Sequence, residues 1–533
     1  MAAVLHTLVD TSSEQYQANR ASLLALLAAH DEQVALACAG GGERYAARHR
    51  ARGRLLVRER IELLLDRDAS FLELSPLAAW GSEFHVGASI VTGIGVLCGI
   101  ECVLIGHDPT VRGGSMNPYT LKKNLRALEI ARLNRLPVIN LVESGGADLP
   151  TQADLFIPAG QIFHDLTQLS ALGIPTIALV FGNSTAGGAY VPGMCDYAVM
   201  VDQRAKVFLG GPPLVKMATG EESDDEELGG AEMHSRISGL SDYFAADELD
   251  CIRLGRQIVD DLHWRKLGPG PTSPADEPVY DPDELLGVAS GDLRTPFDPR
   301  EVIARVVDGS RFDEYKALYG TSLVTGWASV HGFPVGILAN ARGVLFMEES
   351  KKATEFILLA NQSDTPLVFL QNTTGYMVGK EYEQAGIIKD GSKMINAVTN
   401  STVPHLTVIV GASYGAGNYG MCGRAYGPRL LFTWPNAKVA VMGPQQLAGV
   451  LSIVARQSAE AAGRPFDEEA DAAQRRAVEE QIERESHAFF MTGKIYDDGI
   501  IDPRDTRTVL GIALSAVHSN VVQGRRGFGV FRM

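Results

Sequence analysis

Cysteine is scarce. The six residues Cys38, Cys98, Cys102, Cys195, Cys251 and Cys422 are scattered over 533 positions, and no two have a C-x-x-C spacing. Neither a zinc ribbon nor a thiol redox motif is indicated, and no metal site is expected. Cys98 and Cys102 sit in the apolar stretch VLCGIECVLIG, the setting of core thiols, so a reducing compartment is expected. Excess positive charge is lacking too. Against 64 Asp and Glu stand 48 Lys and Arg, a net charge of -16. That argues against a nucleic-acid partner, which needs a basic face, but leaves cations enough for a local patch around an anionic ligand. No stretch approaches the ~20 uninterrupted apolar residues of a membrane span. The start, MAAVLHTLVDTSSEQ, has neither the charged opening nor the apolar core of a signal peptide. A soluble, cytoplasmic chain without a membrane partner is the expectation.

What is present is an ordinary globular balance, 45% hydrophobic and 21% charged, in a chain long enough for two to four domains at ~100–200 residues each. Residues 13–65 read as helical. From Phe71 onward, short Val/Ile/Leu runs such as ECVLIG (Glu101–Gly106), PVINLVESGG (Pro137–Gly146) and IPTIALVFG (Ile174–Gly182) alternate with helix-like stretches. Such runs suit strands buried on both faces of an α/β fold. QIFHDLTQLSALG reads as a helix that stops at Gly173. The Pro-rich stretch Gly268–Pro282 reads as an interdomain linker, and the acidic run Glu221–Gly230 as a solvated face.

After the linker the first pattern returns. Val91-Thr92-Gly93 recurs as Val324-Thr325-Gly326. PVINLVESGG at Pro137 recurs as PLVFLQNTTG at Pro366, and IPTIALVFGNSTAGGAY at Ile174 recurs as VPHLTVIVGASYGAGNY at Val403, both displaced by 229 residues (366 − 137 and 403 − 174). A shared offset across separate motifs implies a tandem duplication of one α/β domain. The expected division is a helical segment 1–70, a first domain 71–267, a linker 268–300 and a second domain 301–533.

In each repeat a buried-type strand runs into a small-residue loop, Asn183 to Tyr190 in the first and Ser413 to Tyr419 in the second. Small residues let a ligand approach backbone N–H groups closely, and donors at a helix start stabilise a negative oxygen. Two such loops suggest two oxyanions. The competing structural explanation is close helix–strand packing. Neither loop fits GxxxxGK[ST] or GxGxxG, so nucleotide binding is weakly supported. Gly411-Ala412-Ser413-Tyr414-Gly415 also matches the GxSxG nucleophile elbow of serine hydrolases. His487 or His518 would then have to supply the base.

At these loops the sequence resembles a known family. Glu143-Ser144-Gly145-Gly146-Ala147 and Thr185-Ala186-Gly187-Gly188-Ala189-Tyr190-Val191-Pro192 are similar to segments of the carboxyltransferase (beta) subunits of biotin-dependent acyl-CoA carboxylases. GPPLVKMATGEE, LGGAEMH, FDPREVIARVVDGSRFDEYK, NTTGYMVGKEYE, GASYGAGNYGMCGRAYGPR and the GFGVFRM tail resemble the methylcrotonyl-CoA branch. The likeness runs from about residue 40 to the end. It implies two crotonase-like (ClpP/crotonase) βαβ superhelix domains, the first for acyl-CoA and the second for carboxybiotin. It also implies a homo-hexamer built as a dimer of trimers, and an active site between the first domain of one subunit and the second domain of another.

By that resemblance, Gly187, Gly188 and Ala189 hold the thioester oxyanion and Gly415, Ala416 and Gly417 hold the biotin ureido oxygen. Ser144, Gly145, Gly146, Thr185, Ala186, Tyr190, Thr374, Gly375, Tyr414, Asn418 and Tyr419 form the substrate-binding surroundings. The proton is moved by biotin itself, so no side-chain base is needed. Lys393-Met394 lacks the preceding Met of an AMKM-like biotinylation site and no ATP-binding motif stands out. Biotin is therefore expected on a separate alpha subunit that carries biotin carboxylase and biotin carrier domains. Arg52, Arg54, Arg112, Lys122 and Lys123 are candidates for the CoA phosphates. The implied substrate is 3-methylcrotonyl-CoA, giving 3-methylglutaconyl-CoA. The alternatives are geranyl-, propionyl-, acetyl- or long-chain acyl-CoA, a decarboxylase subunit of the same fold coupled to a membrane partner, and a non-catalytic scaffold.

Overall fold

Every residue of the strand Val138–Ser144 is buried, as are all seven from Thr176 to Gly182 and six of the seven in Leu367–Thr373. Strands covered on both faces carry continuous apolar runs rather than alternation, which is how they were legible in the sequence. The computed structural model describes residues 3–531 and arranges these strands in two sheets of one design.

In the first sheet Leu72–Leu74, Ile90–Leu97 and Ile100–His107 run antiparallel; Val138–Ser144, Thr176–Thr185, Tyr197–Val201 and Tyr243–Ala245 then add in parallel. In the second, Arg311–Glu314, Leu323–Val330 and Phe333–Asn340 are antiparallel, followed in parallel by Leu367–Thr373, His405–Tyr414 and Leu430–Thr433. A short strand pairs with the end of the long parallel strand in each, Lys206–Phe208 with Asn183–Thr185 and Lys438–Ala440 with Ala412–Tyr414. Even the irregularity is copied: a register shift precedes the pairs Ser144–Ser184 and Thr373–Ser413.

The duplication extends to polar braces. Lys123, 2% exposed, donates from Nζ to the Ile90 carbonyl at 2.9 Å; Lys352, fully buried, donates to the Leu323 carbonyl at 2.7 Å. Asp66 accepts from the N–H groups of Cys98 and Gly99 at the tip of one hairpin, and Asp308 from His331 and Gly332 at the tip of the other. Arg256 pairs with the first and Arg507 with the second.

The helices Glu14–Cys38, Glu43–Arg50 and Val57–Leu64 occupy the region read as helical. By length and composition alone the span Glu14–Arg50 is apolar enough to cross a membrane. Its docking runs the other way. Asn19 donates to the Gly287 carbonyl at 3.0 Å, Arg20 pairs with Asp283, and a Cβ on Gly287 would lie 2.1 Å from the Tyr16 ring. Ahead of it, Ala3–Val4 pairs with Arg311–Phe312 and so adds an edge strand to the second sheet. The Pro-rich stretch passes along the same half: Gly268 donates to the His518 carbonyl, Thr272 to Gly332, and the turn Leu285–Val288 is buried.

Candidate functional site

The first loop begins where Thr176–Thr185 leaves the sheet. Ala186 takes φ +54°, a left-handed conformation that costs a side-chain-bearing residue roughly 1–2 kcal/mol. It turns the chain into a 3-10 turn, Ala186–Ala189, and a single turn of helix, Tyr190–Met194. Ser184, fully buried, ties the loop back through Oγ to the Gly188 carbonyl at 2.9 Å. N–H groups at a helix start have no intrahelical acceptor, and here they open outward. A Cβ on Gly187 would meet only the Phe163 ring at 3.6 Å, and one on Gly188 only Ser184 Oγ at 3.5 Å. Both glycines have room, so what they provide is access to the backbone. The helices are one turn long, so the donors act as individual N–H groups rather than through a summed dipole.

The second loop is built on the same frame but filled differently. Gly415, φ +53°, is the equivalent of Ala186. Gly187-Gly188-Ala189 therefore corresponds to Ala416-Gly417-Asn418, and the triplet Gly415-Ala416-Gly417 expected from the sequence is displaced by one residue from the first. A Cβ on Gly417 would lie 2.7 Å from Thr373 Oγ1 and 2.9 Å from the Gly375 Cα. Here the glycine serves packing, while exposed Ala416 presents the open backbone.

Each loop faces a partner loop. Ser144 donates to the Gly114 carbonyl at 2.7 Å, Gly146 N–H donates to Ser144 Oγ at 3.2 Å and Gly145 N–H to the Gly113 carbonyl at 2.9 Å. In the second half Thr373 donates to the Gly343 carbonyl at 2.9 Å, Gly375 N–H to Thr373 Oγ1 at 3.2 Å and Thr374 N–H to Gly343 at 2.6 Å. Tyr190 and Tyr419 occupy equivalent places, each 45% exposed, Tyr190 edge-on to Phe163 and Tyr419 against Tyr426. Thr185 and Tyr414 end the equivalent strands and are half-buried. Asn418 turns inward, donating to Ser413 Oγ at 2.8 Å.

Ser144, Gly146, Ala186, Gly187 and Gly188 come together on the wall of a cavity of about 580 Å³. Its remaining walls are largely apolar and come from the helix Gln152–Ala171, among them Phe156, Ile157, Phe163 and Leu166. The second loop lines no part of it. These apolar residues carry no motif in the sequence. Their one signal was DLFIPAG, where adjacent Phe156 and Ile157 sit before an intrahelical proline and depart from a one-faced helical pattern. Both are 77% exposed at the cavity's rim.

Glu143, just before Ser144, is 4% exposed. Burial pushes its carboxyl up, but the guanidinium groups of Arg60, at 2.7 Å, and Arg54 outweigh that and hold it below the usual range. Arg60 in turn makes a two-point pair with Glu248 at 2.9 and 3.1 Å. Glu143 is thus a charged anchor for the loop base. Its grip on Arg54 takes that cation out of the free set.

Of the five cations expected at CoA phosphates, Arg52 and Arg112 share a second cavity, about 470 Å³, with Arg48, His49 and His85. Gly113, whose carbonyl carries the Gly145 N–H, lines it as well. Lys122 lies elsewhere, over the Tyr119 ring. The expectation for Lys123 is corrected: its ammonium is spent inside the fold on the Ile90 carbonyl. The serine-hydrolase reading is corrected as well. Ser413 is fully buried and donates to Gln371 Oε1 at 2.6 Å. His518 faces the Leu514 carbonyl at 2.7 Å and His487 caps the helix Ala488–Gly493, so neither histidine serves it.

A family model described as the carboxyl transferase domain matches residues 48–530. The chain is 67% identical, over 99% of its own length and 100% of the relative's, to a Mycobacterium tuberculosis protein named "Probable biotin-dependent acyl-coenzyme A carboxylase beta2 subunit". It is 48% identical to the Dictyostelium discoideum protein named methylcrotonoyl-CoA carboxylase beta chain, mitochondrial, over 99% of this chain and 91% of that one. The solved beta subunit of P. aeruginosa geranyl-CoA carboxylase superimposes with a TM-score of 0.90 at 41% identity, covering 99% of each chain.

Proposed function

The chain belongs to the carboxyl transferase family, and on that premise we propose that it moves the carboxyl group of carboxybiotin onto 3-methylcrotonyl-CoA, giving 3-methylglutaconyl-CoA. The observation that carries the proposal is the pair of equivalent loops, each presenting unpaired N–H groups at the end of a buried strand, the first over an apolar cavity. In the first half the Gly187 and Gly188 N–H groups donate to the thioester oxygen as it gains charge, where preorganised donors do the most. The acyl chain lies in the cavity below them, and the phosphates of CoA lie toward Arg52 and Arg112.

In the second half the open backbone at Ala416 suits a ureido oxygen, and Tyr419 stands exposed beside it. Carboxybiotin would supply the CO2, and the biotin anion left by that loss would take the proton from the acyl-CoA. That agrees with a loop whose buried carboxylate, Glu143, is held between Arg54 and Arg60. The proposal includes an alpha subunit carrying biotin carboxylase and the biotin carrier. It includes a homo-hexamer, a dimer of trimers, supported by apolar side chains that one chain leaves exposed, such as Val441 at 75% beside the second loop, Ile453 at 59% on the helix Pro444–Ala461, and Phe156 beside the first loop. It also includes a reducing, cytoplasmic setting, supported by six cysteines of which none pairs with another.

The test is the isolated reverse half-reaction, with purified protein, free biotin and 3-methylglutaconyl-CoA. Biotin-dependent loss of the ester is the expected result. Turnover only with malonyl-CoA or methylmalonyl-CoA would keep the reaction and reject the substrate. A folded assembly inert toward every ester would overturn the proposal.

A further inference from the structure

The two halves share a frame but differ in one exchange of bulk beside the partner loops. Met116 pairs in parallel with Ala147 in the first half, and Leu345 with Tyr376 in the second, each displaced by the same 229 residues (345 − 116 and 376 − 147). The following N–H closes the same turn in both, Asp148 onto the Met116 carbonyl at 2.8 Å and Met377 onto the Leu345 carbonyl at 2.9 Å. Ala147 and Tyr376 therefore send their side chains from equivalent backbone toward the same side. In the second half Tyr376 packs against the buried Phe356, Phe369 and Met394, and its hydroxyl reaches Met394 Sδ at 3.5 Å. Two glycines make room for it. A Cβ on Gly391 would lie 3.2 Å from the Tyr376 ring, and one on Gly420 only 2.3 Å from its hydroxyl oxygen.

The first half carries the opposite pattern. At the shared offset Gly391 corresponds to Ile162 and Gly420 to Val191. A methyl group stands where the second half has a phenol ring, and branched side chains stand where it has none. Ala147, Ile162 and Val191 all line the cavity of about 580 Å³. The rim follows the same division. Phe156 and Ile157, each 77% exposed, correspond to Ala385 and Gly386, where the second half breaks its helix into Lys380–Ala385 and Ile387–Asn400. Protein interiors close-pack where they can, and Tyr376 shows that this frame can be filled from within. The first half instead keeps a hollow walled and rimmed with carbon, the form of a site for an apolar group.

We propose that Ala147 is a specificity-determining residue: together with Ile162 and Val191 it sets the size of the acyl group admitted, and bulk at position 147 shuts the pocket as Tyr376 shuts its counterpart. This rests on the acyl-CoA reading above and names the residues that decide the chain. A pocket walled with carbon discriminates by size, at roughly 10–200-fold for each methylene that fits or fails to fit, so a change of one side chain on its wall is read directly in the order of chain lengths.

The test measures binding by calorimetry on the purified full-length protein, with free CoA as the reference and unreactive thioether analogues carrying a branched five-carbon or a ten-carbon chain. The unsubstituted protein is expected to bind the five-carbon analogue at least about tenfold tighter than CoA. Ala147→Leu should bring that ratio close to one. Ile162→Ala, which removes bulk rather than adding it, should raise the affinity of the ten-carbon analogue over the five-carbon one by about tenfold, so that one misfolded variant leaves the other informative. A five-carbon preference that survives Ala147→Leu, a chain-length order unmoved by Ile162→Ala, or a folded Ala147→Leu variant that loses CoA and the analogues equally would overturn the proposal. Equal binding of CoA and the five-carbon analogue by the unsubstituted protein would overturn the acyl reading of the cavity as well. Because the readout is binding, it is separate from carboxyl transfer: a chain inert with every carboxylated ester whose ratios still answer to Ala147 and Ile162 would reject the reaction and keep the pocket.

Discussion

Gly187 and Gly417 sit in loops related by duplication, yet the physics holding them as glycine differs. Gly417 is glycine because a methyl group would press on Thr373 and the Gly375 backbone. Gly417→Ala is expected to lose about 1–3 kcal/mol through overpacking and to carry turnover down with it. Gly187→Ala, entering open space, should change stability by less than about 0.5 kcal/mol; melting curves beside the reverse half-reaction separate the two. Ser413 gives a second residue-scale outcome. Ser413→Ala deprives Gln371 and Asn418 of a buried partner, so stability should fall by about 1–3 kcal/mol while most turnover persists. Loss of a true nucleophile would cost on the order of a millionfold in rate. The loops themselves were visible in the sequence as runs of small residues. Their frame was not, since backbone donors leave no side-chain mark, and the shared left-handed turn at Ala186 and Gly415 shows only in three dimensions.

At the scale of elements, strands and hairpins were readable because burial on both faces writes an unbroken apolar run. The helix Gln152–Ala171 was read from its second half alone. Its first half carries apolar side chains toward the cavity rim and so lacks the one-sided pattern that marks a surface helix. Lys123 is hidden in the sequence for a related reason, since a lysine beside Lys122 in a helix looks like surface until the packing is known. It braces the helix Pro118–Asn134 against the Ile90 carbonyl, and burial pushes its ammonium down to about 8. The unfolded chain holds that proton up to about 10.5. Between those values the unfolded state binds more protons, so this group makes the protein more stable as pH rises from about 8 toward 10.5. Lys123→Met should erase that increment, on the order of 3 kcal/mol, in denaturant midpoints compared at pH 8 and pH 10. Affinity for CoA should be unchanged, whereas Arg52→Ala should weaken it.

Across the whole molecule, the duplication was legible from one repeated offset, but what joins the copies was not, because the joint is made of residues far apart in sequence. Asp498 is its centre. Fully buried, it takes a two-point pair from Arg126 of the first half at 2.8 Å, a second guanidinium from Arg424 at 3.1 Å, and the Leu431 N–H at 2.8 Å. Burial alone would raise its carboxyl; Arg126 and Arg424 bring it down to about 2. Its neighbour Asp497, equally buried beside the Thr433 and Thr492 hydroxyls, is pushed up by burial to about 6.

The two aspartates set opposite slopes. Asp498 contributes stability above about pH 3.8 that is lost as pH falls toward 2. Asp497, which prefers its proton when folded, contributes stability below about pH 3.8 that is lost as pH rises through 6. Asp497→Asn should therefore flatten the decline between pH 4 and 6, a difference on the order of 3 kcal/mol. Asp498→Asn removes the charge that holds buried Arg126 and half-buried Arg424, which should cost about 3–5 kcal/mol. Calorimetry should then resolve the single unfolding transition into two, one for each copy of the fold. A single transition at an unchanged temperature would mean that the halves are held together elsewhere, by the edge strand Ala3–Val4 and the helix Glu14–Cys38 that cross from one to the other.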